Sequence, residues 1–305
     1  MNLTEPTNSP IQIAAPPLRA RRRGFLGVMT RLLRNRKGTF GVIVMLLLIV
    51  MAIFAKQISP YSPYLLDVRN KLQGLSVEHL FGTDELGRDI LSRVIYGSGV
   101  SLQIGLFAVS LAALVGVTTG LIAGYMGGTV DSVIMRIWDT ILAFPGIFLA
   151  IGLVSILGPG PQVAIFAVGL TSMPTFARLT RSIAISTKEM EFVAAERALG
   201  VSDLEIIFRT ILPNCLTPVI VNIAIAAPSA ILMEASLSYL GLGSQPPEPS
   251  WGNMLQTAQV YISRAPTYGI FPGVALTLVV LGMNFFADGL QDALDPRRTR
   301  TQRGK

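Results

Sequence analysis

The sequence predicts an all-α protein that crosses a membrane six times, and its composition and the lengths of its apolar runs carry this prediction. Hydrophobic residues make up 51% of the 305-residue chain and charged residues only 14%, whereas soluble domains contain about 25% charged residues. The apolar residues fall into several runs of roughly 20 residues, the length at which an α-helix crosses the hydrocarbon core of a bilayer. A polytopic helical membrane protein follows from these two observations.

The charges are distributed unevenly, with a basic block at each end of a chain whose net charge is +7. Aromatic residues are not interleaved with these blocks as they are on surfaces that stack bases, so no nucleic-acid partner is expected. The single cysteine, Cys215, excludes an internal disulfide, and the single histidine, His79, cannot by itself form a metal site or a catalytic triad. The sequence therefore predicts no metal site.

The N-terminal segment precedes the first apolar run. Residues 1–18 are rich in Pro, Thr, Ser and Asn, a composition that predicts disorder. Residues 19–37 contain eight basic residues and no acidic one, with four apolar residues on one helical face: Phe25, Val28, Leu32 and Leu33. This pattern indicates a basic amphipathic helix on the inner membrane surface. A charge cluster that only sets the orientation of the first span explains the same residues equally well.

Six apolar runs are long enough to cross a bilayer. The predicted spans are Thr39–Ala55, Gly99–Tyr125, Val133–Leu157, Val163–Leu179, Leu216–Leu240 and Phe271–Leu290. Basic residues are enriched in cytoplasmic segments, so both ends of the chain are expected inside the cell. The expected organisation is a cytoplasmic segment over residues 1–38, a permease-like membrane domain over 39–290 and a basic cytoplasmic tail over 291–305.

Two features inside the spans predict contacts. The second span carries a small residue at every fourth position, which lets helix backbones approach closely, either within one bundle or between subunits. These residues are Ala108, Ala112, Gly116, Gly120 and Gly124. In the third span, Arg136 and Asp139 are three residues apart, which predicts a local ion pair.

The most informative stretch is the polar interruption Lys188–Asn214, which the span count places in the cytoplasm. It has the pattern of two short helices. Gly200 ends the first helix as a C-terminal cap, and Ser202 begins the second with an S-x-x-E capping box over Ser202-Asp203-Leu204-Glu205. Pro213 is expected to stop the second helix. A plain helical hairpin between two spans would show the same local signals.

The spacing within this loop resembles the EAA loop of ABC importer permeases, E-A-A-x-x-x-G followed by x(9)-I-x-L-P. The frame falls on Ala194-Ala195-Glu196, Gly200 and Thr210-Ile211-Leu212-Pro213, so alanine stands at the glutamate position of the motif. The resemblance implies that the loop contacts an ATPase. The residues expected to take part in this coupling are Ala195, Glu196, Gly200, Ser202, Asp203, Leu204, Ile207 and Phe208.

Three further stretches resemble signatures of peptide permeases. They are LFGTDELGRDILSRVIYGSGVSL from Leu80, EASLSYLGLGSQPPEPSWGNML from Glu234 and DGLQDALDPR from Asp288. With the loop, they identify the chain as similar to the C-type permease subunit of dipeptide, oligopeptide and nickel ABC importers. The resemblance implies five expected contacts between external loops and a solute-binding protein: Asp84, Arg88, Asp89, Gln245 and Trp251.

The resemblance also implies the rest of the assembly: a homologous B-type permease, two cytoplasmic ATPases that bind ATP and Mg²⁺, an external solute-binding protein, a peptide substrate and membrane lipid. The chain contains no G-x-x-x-x-G-K-[ST] loop for nucleotide, so it is expected to have no ATPase activity and no cofactor of its own. Glu234 is an acid without a nearby charge partner in an apolar span, and we expect it to face an aqueous path or a partner subunit. The expected location is the bacterial inner membrane.

Other functions fit the same sequence less closely. A permease for nickel or glutathione would carry the same motifs. A membrane enzyme would be active as the purified chain alone, and a channel would conduct without ATP or partner subunits.

Overall fold

The computed structural model of the chain describes residues 25–294, and most of these lie in helices. The expected disorder of residues 1–18 and the end of the basic tail lie outside the described residues. The helices before the middle of the chain are α1 (Phe25–Arg34), α2 (Arg36–Ile53), α3 (Ala55–Ile58), α4 (Ile90–Met126), α5 (Gly128–Leu142) and α6 (Gly146–Leu157). Those that follow are α7 (Pro161–Lys188), α8 (Glu191–Ala198), α9 (Asp203–Ile206), α10 (Leu212–Tyr239), α11 (Trp251–Tyr261) and α12 (Thr267–Leu294).

The predicted fold class is confirmed. Within residues 25–294, five helical stretches are long and apolar enough to cross a membrane, and the bent pair α5 and α6 brings the number to six. The five are α2, α4, α7, the stretch Asp203–Tyr239 and α12.

The third span differs from the uninterrupted helix predicted over Val133–Leu157. The axes of α5 and α6 are bent by 90° at the break between Leu142 and Gly146. Pro145 lies at this break as the residue before α6, where its missing N–H breaks the ladder of backbone hydrogen bonds. The prolines inside α7, α10 and α12 are instead kept within continuous helices.

The centre of the bundle is the contact between α4 and α7. The small residues of α4 face α7: a Cβ atom at Gly116 would lie 2.5 Å from the Met173 carbonyl oxygen, and one at Gly120 would lie 2.3 Å from that of Ala177. Side chains do not fit at such distances, so glycine sets the separation of the two helices. Of the two expectations for this ridge, packing within the bundle is the one observed.

The two acidic residues of α5 pair with α7. Asp131 accepts two hydrogen bonds from Arg181, one of 2.6 Å, and Asp139 accepts one of 2.6 Å from Arg178. The predicted pair between Arg136 and Asp139 is therefore wrong. The spacing along one helix could not show that α7 places two arginines opposite the acids.

Pro213 does not end the second loop helix, contrary to the prediction. The helix continues from Asp203 through a π-helical turn at Ile207–Ile211 into α10. In this turn the Leu212 N–H donates to the Ile207 carbonyl, five residues back. Because proline has no N–H to donate, a widened turn before it accommodates the missing hydrogen bond. A single helical path therefore runs from the 188–214 loop to Tyr239.

The bundle has two distinct ends. The loop end carries the 188–214 loop, together with α1 against the last turns of α12. The cap end carries residues 59–89 and 240–266, here called the cap. The cap contains α11, which the sequence did not predict, and α4 begins at Ile90 rather than Gly99 because Asp89 caps its first turn through the Ser92 N–H.

We expect Gly120→Val to destabilise the bundle by about 1–3 kcal/mol, since the new side chain collides with the α7 backbone. Thermal unfolding of the purified chain in detergent measures this. Gly152→Val is the matched control, because a Cβ atom at Gly152 meets no atom within 4 Å. Equal unfolding temperatures for the two variants would contradict the close approach of α4 and α7.

Candidate functional site

The 188–214 loop folds as the two helices that its sequence predicts. After α8, Gly200 takes a positive φ of 80°. The Val201 N–H then donates to the Glu196 carbonyl at 3.1 Å and the Gly200 N–H to the Arg197 carbonyl at 3.0 Å, the two hydrogen bonds of a Schellman cap. The Ser202 hydroxyl caps α9 by accepting from the Glu205 N–H at 3.4 Å.

Tyr125, at the end of α4, fixes the loop to the membrane helices. Its hydroxyl donates to the Asp203 carboxylate at the start of α9. Its carbonyl accepts a 2.6 Å hydrogen bond from the Lys188 ammonium, and the Arg197 guanidinium lies 5.3 Å from its ring centroid. One side chain and its backbone therefore contact the end of α7, the last turn of α8 and the first residue of α9. No local pattern in the sequence marks Tyr125, because these contacts cross more than 60 residues of sequence.

Within the loop, α8 is tied to the π-helical turn. The Thr210 hydroxyl lies 2.9 Å from both carboxylate oxygens of Glu196. Val193, Ile206 and Ile211 are fully buried beneath the two helices. Polar and apolar contacts together hold the loop as one unit with the start of α10.

The outer surface of this loop exposes four large apolar side chains beside charged residues such as Glu205 and Arg209. Leu199 is 83% exposed, Leu204 68% and Phe208 62%, with Phe192 also exposed. Of the other residues expected to take part in coupling, four are exposed: Ala195, Gly200, Ser202 and Asp203. Glu196 and Ile207 are half-buried. Large exposed apolar patches mark sites of protein contact.

One cluster of charged residues, in the cap and the first turn of α4, faces inward rather than toward solvent. Asp84 accepts from the Arg88 Nε at 2.6 Å and from the Arg88 N–H at 2.9 Å, and it lies 3.5 Å from Arg93. Asp89 accepts from the Ser92 N–H at 2.8 Å, and one of its oxygens lies 2.9 Å from His79 Nδ1. All five charged or titratable side chains are buried.

The resemblance implied that Asp84, Arg88 and Asp89 contact a binding protein, but all three side chains are buried within the chain and offer a partner almost no surface. Their pattern in sequence reflects the folding of the cap itself. Gly87 is also required by the folding of the cap. Its φ is 77°, and a Cβ atom at this position would lie 1.7 Å from the Asp67 carbonyl oxygen.

The two candidates in the second cap segment differ. Trp251 is fully buried, and its indole N–H donates to the Val94 carbonyl of α4 at 3.0 Å, so it does not contact an external partner either. Gln245 is exposed, and its side-chain amide donates to the carbonyls of Gly241 and Gly243. Gln245 remains available as a surface residue.

Glu234 is enclosed within the chain. Its side chain is 0% exposed, and its Oε1 accepts from the Ser238 hydroxyl at 2.7 Å. The same hydroxyl accepts from the Ser244 N–H at 3.0 Å, and Asn253 of α11 donates to the Ser244 carbonyl at 3.3 Å. The expectation of a carboxyl facing an aqueous path or another subunit is not met in this conformation. A partner four residues along the helix was overlooked in the sequence.

No cluster of three or more His, Cys, Asp or Glu side chains among residues 25–294 has the arrangement of a metal site.

Two family models match the sequence. One, described as "Binding-protein-dependent transport system inner membrane component", matches residues 116–300. The other, described as the N-terminal TM domain of oligopeptide transport permease C, matches residues 25–74.

Curated relatives match over most of their length. The dipeptide transport system permease protein DppC of Alkalihalophilus pseudofirmus is 48% identical over 88% of each chain. The di/tripeptide transport system permease protein DppC of Pseudomonas aeruginosa is 42% identical over 86% of this chain and 89% of its own. The glutathione transport system permease protein GsiD of Escherichia coli is 44% identical over 88% of each chain.

A solved structure shares the fold. A chain of the MetNI methionine ABC transporter, in an inward-facing conformation, superimposes with a TM-score of 0.53 at 18% sequence identity. The match covers 68% of this chain and 98% of that one. At this identity the likeness concerns the fold alone.

We expect Ser238→Ala to loosen the cap and to destabilise the chain by about 1–3 kcal/mol, because the Glu234 carboxyl and the Ser244 N–H both lose a buried partner. Protease cleavage in residues 240–250 should become faster. Ser236→Ala is the matched control on the same helix, since its hydroxyl bonds only to the Leu232 carbonyl one turn away. Similar cleavage of both variants would contradict a role for Ser238 in holding the cap.

Proposed function

Because the chain belongs to the family of binding-protein-dependent transport system inner membrane components, we propose that it is the permease subunit of an ABC importer for di- and oligopeptides. Separate ATPase subunits supply the energy, and ATP and Mg²⁺ bind to them. The relatives that are 42–48% identical are named as transport permeases, which supports a transporter subunit rather than an enzyme.

One observation carries the proposal: the 188–214 loop is packed and hydrogen-bonded inside, and it exposes large apolar side chains outside. Leu204, Phe208 and Leu199 provide an apolar face for a groove on an ATPase subunit. Hydrogen bonds from Lys188 and to Asp203 tie the loop to Tyr125 at the end of α4. A connector of this kind transmits a movement of the ATPase to the membrane helices instead of absorbing it.

We place the chain in a bacterial inner membrane, with the loop end in the cytoplasm and the cap on the external side. Both termini are then cytoplasmic, as the basic blocks at the ends of the chain favour. A homologous permease completes the translocation path, and a solute-binding protein docks on the cap near Gln245. Glu234 acts indirectly in this arrangement, as a residue that holds the external end of α10 against α11.

Peptides are the favoured substrate class because two relatives named for di- or tripeptide transport match over most of the chain. A glutathione importer is the second candidate, supported by the relative at 44% identity that is named for glutathione. Glutathione is itself a small peptide, so both candidates require the same class of path.

We expect vesicles that contain all subunits to accumulate a radiolabelled dipeptide only when ATP and the solute-binding protein are present. Mass spectrometry of the ligand retained by the purified binding protein separates dipeptide from glutathione. The purified chain alone should hydrolyse no ATP. Uptake by the isolated chain, driven by an ion gradient, would contradict the proposal.

We expect Gly200→Val to uncouple ATP hydrolysis from uptake. A Cβ atom at Gly200 meets nothing within 4 Å, so the substitution acts only through the backbone, where a β-branched residue at φ 80° is strained by about 1–3 kcal/mol. The six-span bundle should persist while α9 is displaced. ATP hydrolysis and peptide uptake, measured in the same vesicles, should show hydrolysis without uptake or lost ATPase binding.

Gly200→Asn is the matched control, because asparagine adopts the left-handed conformation far more readily than valine. It should retain coupled uptake. Wild-type hydrolysis and uptake in the valine variant would show that the angle between α8 and α9 has no part in coupling.

A further inference from the structure

We propose that α1, together with Arg36 and Lys37, forms a binding surface for the anionic headgroups of phospholipids in the cytoplasmic leaflet. The leaflet follows from the orientation proposed above, whereas the lipid chemistry follows from the helix itself. Four observations carry the inference: a separate helix, a fixed position, unpaired basic charge and an adjoining apolar side chain.

The helix α1 is separate from the first membrane span. The chain leaves the helical conformation at Asn35, whose φ and ψ are −91° and 120°. The Asn35 side chain then accepts from the Lys37 N–H at 3.1 Å and caps α2. The C-terminal turn of α1 is completed by the Thr39 hydroxyl, which donates to the Leu33 carbonyl at 2.8 Å. The break is therefore a built turn between two helices.

The position of α1 is fixed by one leucine. Leu32 is 2% exposed and lies in a notch formed by two glycines. A Cβ atom at Gly289 of α12 would lie 2.7 Å from Leu32 Cδ1, and one at Gly38 would lie 2.5 Å from the Leu32 carbonyl oxygen. This packing holds α1 against the first turn of α2 and the last turns of α12.

The basic residues near this notch have no acidic partner in the described part of the chain. Arg31, Arg34, Arg36 and Lys37 form no ion pair within residues 25–294. The sequence contains no acidic residue between Phe25 and Leu66. Asp288 and Asp292 lie in the last turns of α12, and the local charge remains positive when they are counted.

The surroundings of these charges favour a lipid surface. Arg34, Arg36 and Lys37 are exposed, and Leu33 beside them is 47% exposed. Arg36 is also the first residue of α2, a helix long and apolar enough to span a membrane, so we expect its side chain at the depth of the phosphate groups. A helix that offers apolar and cationic side chains at that depth binds the interface of an anionic leaflet. Guanidinium groups add bidentate hydrogen bonds to phosphate oxygens.

Site-directed quenching in the assembled transporter tests the proposal. A fluorophore is attached to Thr30→Cys in a Cys215→Ser chain, assembled with cysteine-free partner subunits. Vesicles contain brominated phosphatidylglycerol or brominated phosphatidylcholine at matched mole fractions. We expect half-maximal quenching at roughly fivefold less phosphatidylglycerol than phosphatidylcholine, the factor expected for one basic residue at an anionic surface. High salt should reduce this preference.

The variant Arg34→Gln/Arg36→Gln should lose most of the preference while glutamine keeps the helix. The matched control is Lys56→Gln/Arg69→Gln, which removes two exposed basic residues near the cap and should leave the preference unchanged. Added inorganic phosphate, at constant ionic strength, should not reduce quenching by brominated phosphatidylglycerol. The surface is proposed to bind phosphate groups only where a membrane presents them.

Three results would overturn the proposal. Equal quenching by the two lipids in the wild type would exclude a preference for anionic headgroups. Loss of bound ATPase subunits in the arginine variant, with quenching unchanged, would assign the surface to a protein partner. Reaction of Thr30→Cys with an impermeant thiol reagent outside intact cells would show that α1 does not lie at the cytoplasmic leaflet, and it would also contradict the proposed orientation. The quenching experiment measures the preference for anionic lipid separately from this result.

Discussion

The close contact between α4 and α7 is the constraint on which the rest of the structure depends. Gly116 and Gly120 let the α4 backbone approach α7 at distances that exclude a side chain. This contact runs along both helices to the loop end, where it places Tyr125 beside Lys188. The anchoring of the 188–214 loop is therefore a consequence of helix packing in the membrane. A wider separation of the two helices would leave the loop attached only through the chain.

The stretch Asp203–Tyr239 then joins the two ends of the molecule. Its beginning is the capped helix α9, tied to Tyr125, and its far end carries Glu234 and Ser238, which hold the cap through Ser244. The π-helical turn before Pro213 keeps this path continuous where a proline would otherwise interrupt it. In the proposed function, a displacement of the loop would follow this helical path to the corner where α10 meets α11, at the other end of the bundle.

Local signals in the sequence predicted much of this arrangement. Three features follow from residues only a few positions apart, and the structure contains each of them. They are the C-terminal end of α8 at Gly200, the N-terminal start of α9 at Ser202 and the row of small residues along α4. Long-range pairing could not be predicted in the same way. The polar cap residues were interpreted as a contact surface because a single sequence does not show that Asp84 and Arg88 satisfy each other. The break near Pro145 was also missed, since its apolar flanks resemble one continuous span.

The central claim is that the 188–214 loop and the start of α10 move as one body. Spin labels at Ala198→Cys and Leu216→Cys test it in a Cys215→Ser chain within the assembled transporter, because both positions are exposed and neither is among the residues proposed to contact the ATPase. Double electron–electron resonance gives the distance between the labels in the nucleotide-free and ATP-bound states. The account predicts the same distance distribution in both states while the vesicles still import substrate. A shift of several ångströms between the states would contradict it, because the loop would then deform instead of transmitting the movement.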